Sequence, residues 1–485
     1  MYNRSVLDIA TCYRAVEARD RRFEGQFFLG VRTTGIYCRP GCPAPTPKQH
    51  NVRFFTCAAA AESAGFRACL RCRPDSLPGS PAWNGTSTTV ARALRLIQDG
   101  GLDDANIDTL AARVGVGSRH LRRLFQDQVG TSPLAIARTR RAHFARKLIE
   151  ETRLSMSDVA LSAGFASVRS FNTGMRATFN QTPRQLRGGR MPSDVSGLRL
   201  RIPVREPYDW AGLLRYLRDR ATAGVETVET NAYRRSIVVD GDAGILEVTR
   251  VPGAALELRL PALASPALIR VVARVAQMFD VATDVERIAA DLRRDPLLRR
   301  ALGGGPAPRI PVAWDPFELT IRAILGQQVS VRGATTLAGR LARAFGEKLP
   351  RTLASGSVTH LFPTPTRLSR ARVERIGMPG ARAQALRGVA AAVRDGNLRL
   401  DAANPEATVR SLVALPGIGD WTAQYVAMRG LGEPDAFPAT DLGVLRALAQ
   451  MNGLPKSAAV ERRSARWRPW RAYATMALWR SGIGG

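Results

Sequence analysis

Lysine is nearly missing from this chain: four of its 71 basic residues are lysine and the rest arginine, against 41 acidic residues. Aromatic residues make up 6% of the sequence, and in 485 residues histidine occurs four times and cysteine six times. Six cysteines are too few to staple so long a chain, which excludes a disulfide scaffold of the secreted kind. No stretch of 18 apolar residues runs free of charge, and Met1–Ala10 has no basic segment leading into an apolar one. Neither a membrane helix nor a secretory leader is therefore expected. The expected place is the cytoplasm, with no membrane partner, and in a reducing compartment clustered cysteines read as metal ligands or nucleophiles.

What is abundant is positive charge. The formal net charge is +30, and it divides evenly, since residues 1–190 carry 29 basic against 14 acidic side chains and residues 191–485 carry 42 against 27. Basic character on both halves favours a polyanion, with nucleic acid foremost, although arginine and alanine richness also reflects a GC-rich coding bias. The length exceeds what one hydrophobic core organises, so three or four domains are expected. Pro/Gly/Ser-rich stretches at 73–89 and 187–206 read as aperiodic linkers, and Gly303–Pro311 as a further loop. Helical periodicity fills the region between the two linkers. Strand-like runs follow at Arg235–Asp240 and Ile245–Val251, and from about Ser265 the pattern is almost wholly helical.

Cys38 and Cys42 stand in C-x3-C spacing and Cys69 and Cys72 in C-x2-C, with 26 residues between the pairs. Each short turn aims two sulfurs at one ion, so the four predict a tetrahedral zinc site. Cys12 and Cys57 stand alone and read as small buried hydrophobes. A closed four-thiolate site is ordinarily an inert clip, and the surrounding words set this one apart. VRTTGIYCRP (31–40) and GFRACLRCRP (65–74) resemble the N-terminal domain of the Ada methyl-phosphotriester repair proteins. The resemblance implies that Cys38, besides binding one zinc ion, irreversibly accepts a methyl group from a DNA phosphotriester. It also implies that loss of one thiolate charge raises DNA affinity and turns repair into a transcription signal. Arg39, Arg67, Arg71 and Arg73 flank the cluster as candidate backbone contacts.

Ile107–Gly130 reads helix, glycine-bearing turn, helix, and Met156–Pro183 repeats the plan, with Ser118 and Ser167 as candidate N-caps of the two second helices. The endings VGTSP and FNQTP share a Gly/Asn-x-Ser/Thr-Pro word. Such tandem units resemble the AraC-type DNA-binding domain. That implies major-groove recognition by Arg119, His120, Arg122 and Arg123 in the first unit and Arg169, Ser170 and Asn172 in the second. Leu121, Leu124, Phe125 and Phe171 are the expected core.

LPGIGDWTA (415–423) is a helix-hairpin-helix word in which Gly417 and Gly419 permit close approach to phosphate, next to a helix N-terminus. Twenty residues past Trp421 comes Asp441, in DAFPATDLGV. With PYDW (207–210), RAILGQQVSV (322–331) and WRPWRAYATMALW (467–479), these words resemble the AlkA-like 3-methyladenine DNA glycosylases. The resemblance implies Asp441 as the single catalytic carboxylate and Trp421, Tyr425 and Trp479 as aromatic faces for an extruded base. It further implies Gln327 and Gln328 in the loop that enters the vacated stack, with Gln328 where some relatives carry an apolar side chain. A monovalent cation at the carbonyls of Val413, Leu415 and Ile418 is also implied. One carboxylate suffices on chemical grounds, because an N3- or N7-alkylated purine is already a cationic leaving group and needs no general acid. Lyase-competent relatives carry lysine where this chain has Trp421, so a monofunctional enzyme is expected. Thr440 replaces an acidic residue of some relatives, and Asp435, the competing carboxylate, reads as a loop or cap residue.

The expectation is a multidomain α+β protein in four parts. These are a small four-cysteine zinc domain (1–78), an all-α tandem helix-turn-helix domain (88–188), an α+β subdomain (198–310) and a mostly α helix-hairpin-helix glycosylase domain (311–485). Such a protein repairs alkylated DNA, regulates transcription with RNA polymerase as a partner, and sits in the bacterial cytoplasm with the nucleoid. No PCHR-like word occurs, so a guanine O6-methyl acceptor is not expected. The rivals are a regulator whose glycosylase-like half only binds DNA, and a cysteine-zinc redox sensor.

Overall fold

The computed structural model describes residues 8–20, 23, 26–69, 71–72, 74, 88–103, 105–188, 197–261, 265–354, 356–449 and 457–481. Their contacts form two compact units, residues 1–204 with 261–273, and residues 205–260 with 274–485. No helix among the described residues is long and apolar enough to cross a membrane.

The first unit opens with the helix Ile9–Glu17, followed by a four-stranded sheet of β1 (Phe28–Val31), β2 (Ile36–Cys38), β3 (Val52–Phe55) and β4 (Arg67–Ala68), in the order β3-β1-β2-β4. β1 pairs antiparallel with β2 and β3, and Gly35, at φ +63°, sits in the tight β1–β2 connection. β4 runs parallel to β2 with Tyr37 opposite Ala68, and the Cys69 N–H donates to the Tyr37 carbonyl at 3.0 Å. This parallel pairing lays the second cysteine pair beside the first, although 26 residues separate them in the chain.

The helical region that follows holds two helix pairs, Ile107–Arg113 with Ser118–Val129, and Met156–Ser162 with Val168–Phe179, joined by the long helix Pro133–Glu151. The shared closing word now has a physical reason. Gly130 and Asn180 end the second helices in the left-handed conformation, at φ 80° and 53°. Ser132 and Thr182 then N-cap the next helices, and Pro133 and Pro183 occupy the first helical turn, where a missing N–H costs nothing. Ser167 is the expected N-cap and forms a capping box with Ser170. Ser118 is not a cap: Gly117 takes that position and Ser118 is the first helical residue. Leu121, Phe125 and Phe171 are fully buried, whereas Leu124 is only half-buried.

The stretch 187–206, expected to be aperiodic, contains β5 (Leu198–Pro203), in which Leu198, Leu200 and Ile202 are buried and Arg201 is exposed. The signal was the period-two alternation of LRLRIP, which the neighbouring Gly, Pro and Ser obscured. Of the other linker, 73–89, all but Pro74, Thr88 and Thr89 lies outside the described residues.

In the second unit β6 (Glu226–Val228), β7 (Ala232–Val239), β8 (Asp242–Val251) and β9 (Ala255–Leu260) form an antiparallel meander. It contains both strand-like runs read from the sequence. Asp240 and Gly241, at φ 50° and 93°, make the two-residue turn between β7 and β8, where positive φ suits the twist of the strands. A buried ion network ties this sheet to the helix Pro316–Leu325. Arg235 donates to Glu318 at 2.7 Å, and Arg322 meets both Glu318 and Glu226 at 3.1 Å. The helices beyond divide between two apolar cores, one around Ile321, Leu341, Leu386 and Leu412, the other around Leu298, Met428, Val444 and Trp467. The helix Asp420–Arg429 contributes Ala423 and Val426 to the first and Ala427 and Met428 to the second.

Candidate active site and metal centre

At the metal centre, Cys38 ends β2, Cys42 follows one turn later, and Cys69 and Cys72 leave β4. The four sulfurs lie within 4.8 Å of one another and all four residues are buried. Tetrahedral zinc with sulfur ligands at about 2.3 Å needs sulfurs roughly 3.8 Å apart, and soft thiolates are its preferred donors, so the residues fit the ion. The thiols compete for protons: hydrogen bonds with Cys42, Cys69 and Cys72 push Cys38 up. Hydrogen bonding from Cys38 holds Cys42 down at about 7 and Cys69 below the ordinary thiol range. Arg71 is exposed, Arg39 and Arg67 are half-buried, and Arg73 lies outside the described residues. Tyr37, beside Cys38, donates through its hydroxyl to Glu62 Oε1 at 2.9 Å. That carboxylate also meets His143 Nε2 at 2.9 Å and the Thr139 hydroxyl, both on the helix Pro133–Glu151. Cys12 and Cys57 are buried, as expected, and form no disulfide.

On the two second helices Arg119, His120, Arg122, Arg123, Arg169, Ser170 and Asn172 are all exposed, while the residues spaced between them bury the core face. The chain thus presents one basic, polar face per unit.

At the carboxylate site, Asp441 N-caps the helix Leu442–Leu448, with Oδ1 accepting the Val444 N–H at 3.0 Å. The same oxygen accepts the indole N–H of Trp479 at 2.8 Å, and Oδ2 accepts that of Trp421 at 2.9 Å. Asp441 is 8% exposed. Trp421 and Tyr425, one helical turn apart, stack with centroids 5.3 Å apart and planes 10° from parallel, and Trp479 lies 6.3 Å from Tyr425. The aromatic residues read as base-facing are therefore brought together with Asp441, but with a difference. The two indoles turn their N–H edges to the carboxylate, and Trp421 and Tyr425 spend one face each on the other.

Residues not singled out from the sequence complete the surroundings. Gly443 makes room for this geometry, since an added Cβ would sit 3.0 Å from Trp479 Cδ1 and 3.1 Å from Asp441 Oδ1. Arg429, four residues after Tyr425, donates to the hydroxyls of Tyr425 (3.4 Å) and Tyr216. Burial alone raises the Tyr425 hydroxyl, but the guanidiniums of Arg429, Arg220 and Arg322 outweigh it and hold the phenol below its ordinary range. The i,i+4 spacing of Tyr425 and Arg429 was visible in the sequence, and the distant Tyr216 was not.

The hairpin turn lies between the helices Pro405–Val413 and Asp420–Arg429. Gly417 has φ +81° and an added Cβ would lie 2.7 Å from Ala385 Cβ, whereas Gly419, the N-cap, has φ −89° and open space where its Cβ would be. The Leu415 carbonyl accepts the Ile418 N–H at 3.2 Å. Gln327 is half-buried and Gln328 exposed, the latter with φ +56°. Asp435 accepts from Arg468 (2.6 Å) and Arg471 (2.8 and 3.0 Å), which makes it an ion-paired loop residue, and Thr440 is exposed.

Four family descriptions match the chain: the metal binding domain of Ada over residues 11–75, a helix-turn-helix domain over 110–189, the AlkA N-terminal domain over 199–315, and the HhH-GPD superfamily of base excision DNA repair proteins over 321–472. A Mycobacterium tuberculosis protein described as a probable bifunctional transcriptional activator/DNA repair enzyme AlkA is 45% identical over 480 residues, which covers 97% of this chain and 96% of that one. The chain belongs to this bifunctional family. Its Ada-like and AlkA-like parts are each similar to a separate Escherichia coli protein. One is DNA-3-methyladenine glycosylase 2, 35% identical over 56% of this chain and 94% of its own length. The other is the bifunctional transcriptional activator/DNA repair enzyme Ada, 33% identical over 37% of this chain and 51% of its own. A member of this family joins DNA repair to transcription regulation, acts on DNA, and carries zinc on its four thiolates.

Proposed function

We propose that the second unit is a monofunctional glycosylase that releases N3- and N7-alkylated purines, of the 3-methyladenine and 7-methylguanine type, with Asp441 as its carboxylate. The reading rests on one observation, a nearly buried carboxylate fixed by two indole N–H groups and one backbone N–H. Each carboxylate oxygen has two acceptor sites. Oδ1 is filled by two N–H donors, while Oδ2 takes a single indole and retains capacity toward the sugar or a water. The C1′–N bond breaks with its electron pair leaving on the cationic purine, which departs neutral. Asp441 stabilises the oxocarbenium-like sugar or orients the attacking water, whose oxygen bonds C1′ as a proton leaves. Trp421 stands in the hairpin where a lyase needs an amine, so no Schiff base forms and an abasic site remains. Gln328 fills the space of the extruded nucleotide. Gly417 and Gly419 lie against the DNA backbone, and the carbonyls of Val413, Leu415 and Ile418 serve a monovalent cation. The residue boundaries 1–78, 88–188, 198–310 and 311–485 divide the labour.

In the first unit Cys38 is the methyl acceptor for DNA methylphosphotriesters. Its sulfur bonds the methyl carbon while the methyl–oxygen bond breaks, leaving the pair on a phosphodiester oxygen. Zinc, when bound, keeps the four sulfurs ionised, with a site charge of about −2. S-methylation removes one negative charge and weakens repulsion of DNA phosphates. Arg39, Arg67, Arg71 and Arg73 flank the backbone, and Arg119, Arg122, Arg123 and Arg169 face the promoter grooves, with RNA polymerase as the partner in activation at the nucleoid.

The deciding experiment measures release of 3-methyladenine from methylated duplex DNA by the full chain and by Asp441→Asn. Release by the wild type and its loss in the variant are expected. Equal release by both would remove Asp441 from the chemistry, and none from either would leave a DNA-binding regulator. Mass spectrometry after exposure to methylphosphotriester DNA is expected to show one added methyl on Cys38.

A further inference from the structure

Six residues other than glycine have positive φ among the described residues: Arg19, Asn180, Asp240, Ala254, Asp280 and Gln328. Five of them turn the chain. Arg19, Asn180 and Asp280 end helices, and the N–H of Asp20 and Val281 close back onto Ala15 and Ala276. Asp240 and Ala254 sit in the turns before β8 and β9. Gln328 also lies in a turn, the one that links two helices. It stands between the helix Pro316–Leu325, already capped by Gly326, and Ser330, which N-caps Val331–Phe345. Glutamine enters the left-handed region less readily than glycine, asparagine or aspartate, and such outliers gather at functional sites.

The neighbours of Gln328 hold it in that state. The Gln327 side chain donates through Nε2 to the Gly417 carbonyl at 3.0 Å and to the Thr422 hydroxyl at 3.1 Å. Arg382 Nη2, from the helix Gly380–Arg394, donates to the Gln327 carbonyl at 2.6 Å. That carbonyl belongs to the peptide leading into Gln328, so the guanidinium fixes the plane from which φ of Gln328 is measured. Three segments distant in sequence, at 327, 382 and 417–422, meet at the base of one exposed residue.

We propose that Gln327 and Arg382 are positioning residues that clamp Gln328 as a rigid finger, locked to the phosphate-gripping hairpin, for extruding a paired base from duplex DNA. The inference rests on the glycosylase reading above and adds residues to it. A side chain that must enter a base stack loses least entropy when its backbone is fixed beforehand. The bond to the Gly417 carbonyl sets the finger at constant distance from the backbone the hairpin holds.

The test compares wild type with Arg382→Met, which keeps the apolar stem, and with Gln328→Gly, in which glycine accepts positive φ without strain. Extrusion is read by 2-aminopurine fluorescence in duplex DNA, with all proteins in the Asp441→Asn background. Base release is read in the Asp441 background from 3-methyladenine that is paired and from the same base in a mispair, where less unpairing is needed. Both variants are expected to lower extrusion and paired-base release by on the order of tenfold, with a smaller loss at the mispair. Gln328→Gly is expected to melt at a higher temperature than wild type while losing activity, an outcome that a merely structural role does not produce. Extrusion equal to wild type in Arg382→Met, or equal losses at paired and mispaired bases, would overturn the clamp. No base release by wild type from either substrate would instead sink the glycosylase reading, and the fluorescence assay would still judge the clamp.

Discussion

Two indole N–H groups end on one carboxylate at Asp441, which makes Trp421 and Trp479 orienting donors as well as aromatic surfaces. Trp479→Phe keeps a ring and deletes the donor to Oδ1. A hydrogen bond to a charged acceptor contributes about 1.5–3 kcal/mol, and 1.4 kcal/mol is a decade in rate, so kcat for base release is expected to fall about tenfold or more. Single-turnover kinetics will read it, and an unchanged kcat would show that the remaining N–H groups suffice. Gly443→Ala is expected to lower kcat in the same direction, because its Cβ meets the indole edge at 3.0 Å. The isolated cysteines carry a second prediction. Burial pushes the thiols of Cys12 and Cys57 up to about 11, helped by the charges of Asp8 and Glu62 respectively. At pH 8 both are expected to resist alkylation in the native protein and to react only once it is denatured, as peptide mapping will show.

At the scale of elements, the hairpin shows two glycines with separate reasons. Gly417→Ala meets a positive φ and Ala385 at 2.7 Å, so a loss of about 2–4 kcal/mol is expected in chemical denaturation. Gly419→Ala fills open space at an ordinary φ, so stability is expected to hold within about 0.5 kcal/mol. Its effect is expected on DNA affinity, where a methyl group stands between the helix N-terminus and a phosphate. Equal destabilisation by both would contradict that division. The two helix-turn-helix units were legible for a related reason: caps, left-handed glycine or asparagine and proline are local choices, and Ser167, Asn180 and Pro183 each act within a few residues. Ser118 was misread because a serine beside a glycine offers two cap positions, and the backbone chose Gly117. β5 was misread because its alternation is short and lies inside a stretch of turn-forming residues.

For the whole molecule, two compact units with separate cores are expected to melt in two transitions, each with its own chemistry. A strong zinc chelator is expected to abolish or greatly lower the first transition and leave the second in place, since a structural four-thiolate zinc site contributes on the order of 10 kcal/mol. Calorimetry with and without chelator checks this, and an unmoved first transition would mean that the thiolates stabilise little. Acid is expected to act on the second unit. Burial works to raise Glu226, but the guanidiniums of Arg322 and Arg235 and the Tyr233 hydroxyl outweigh it and hold the carboxyl below the usual glutamate range. A depressed carboxylate stabilises the fold above its unfolded pKa, about 4.3, and that contribution is lost as pH falls through the lower folded value. Glu226→Gln is expected to be less stable near pH 7 and to lose less on acidification, by pH-dependent melting.

The amino-acid sequence by itself determined what depends on neighbours along the chain: the paired cysteines, the capped helix pairs, the hairpin glycines and the β7–β8 runs. It also carried the position of Asp441, because the words around it are continuous. Only the tertiary structure decided that the indoles meet Asp441 edge-on, that Arg429 joins Tyr425 to Tyr216, and that Gln327 and Arg382 converge under Gln328. These contacts join residues up to 213 positions apart, and the direction of a side chain there is set by packing between elements, which no local pattern encodes.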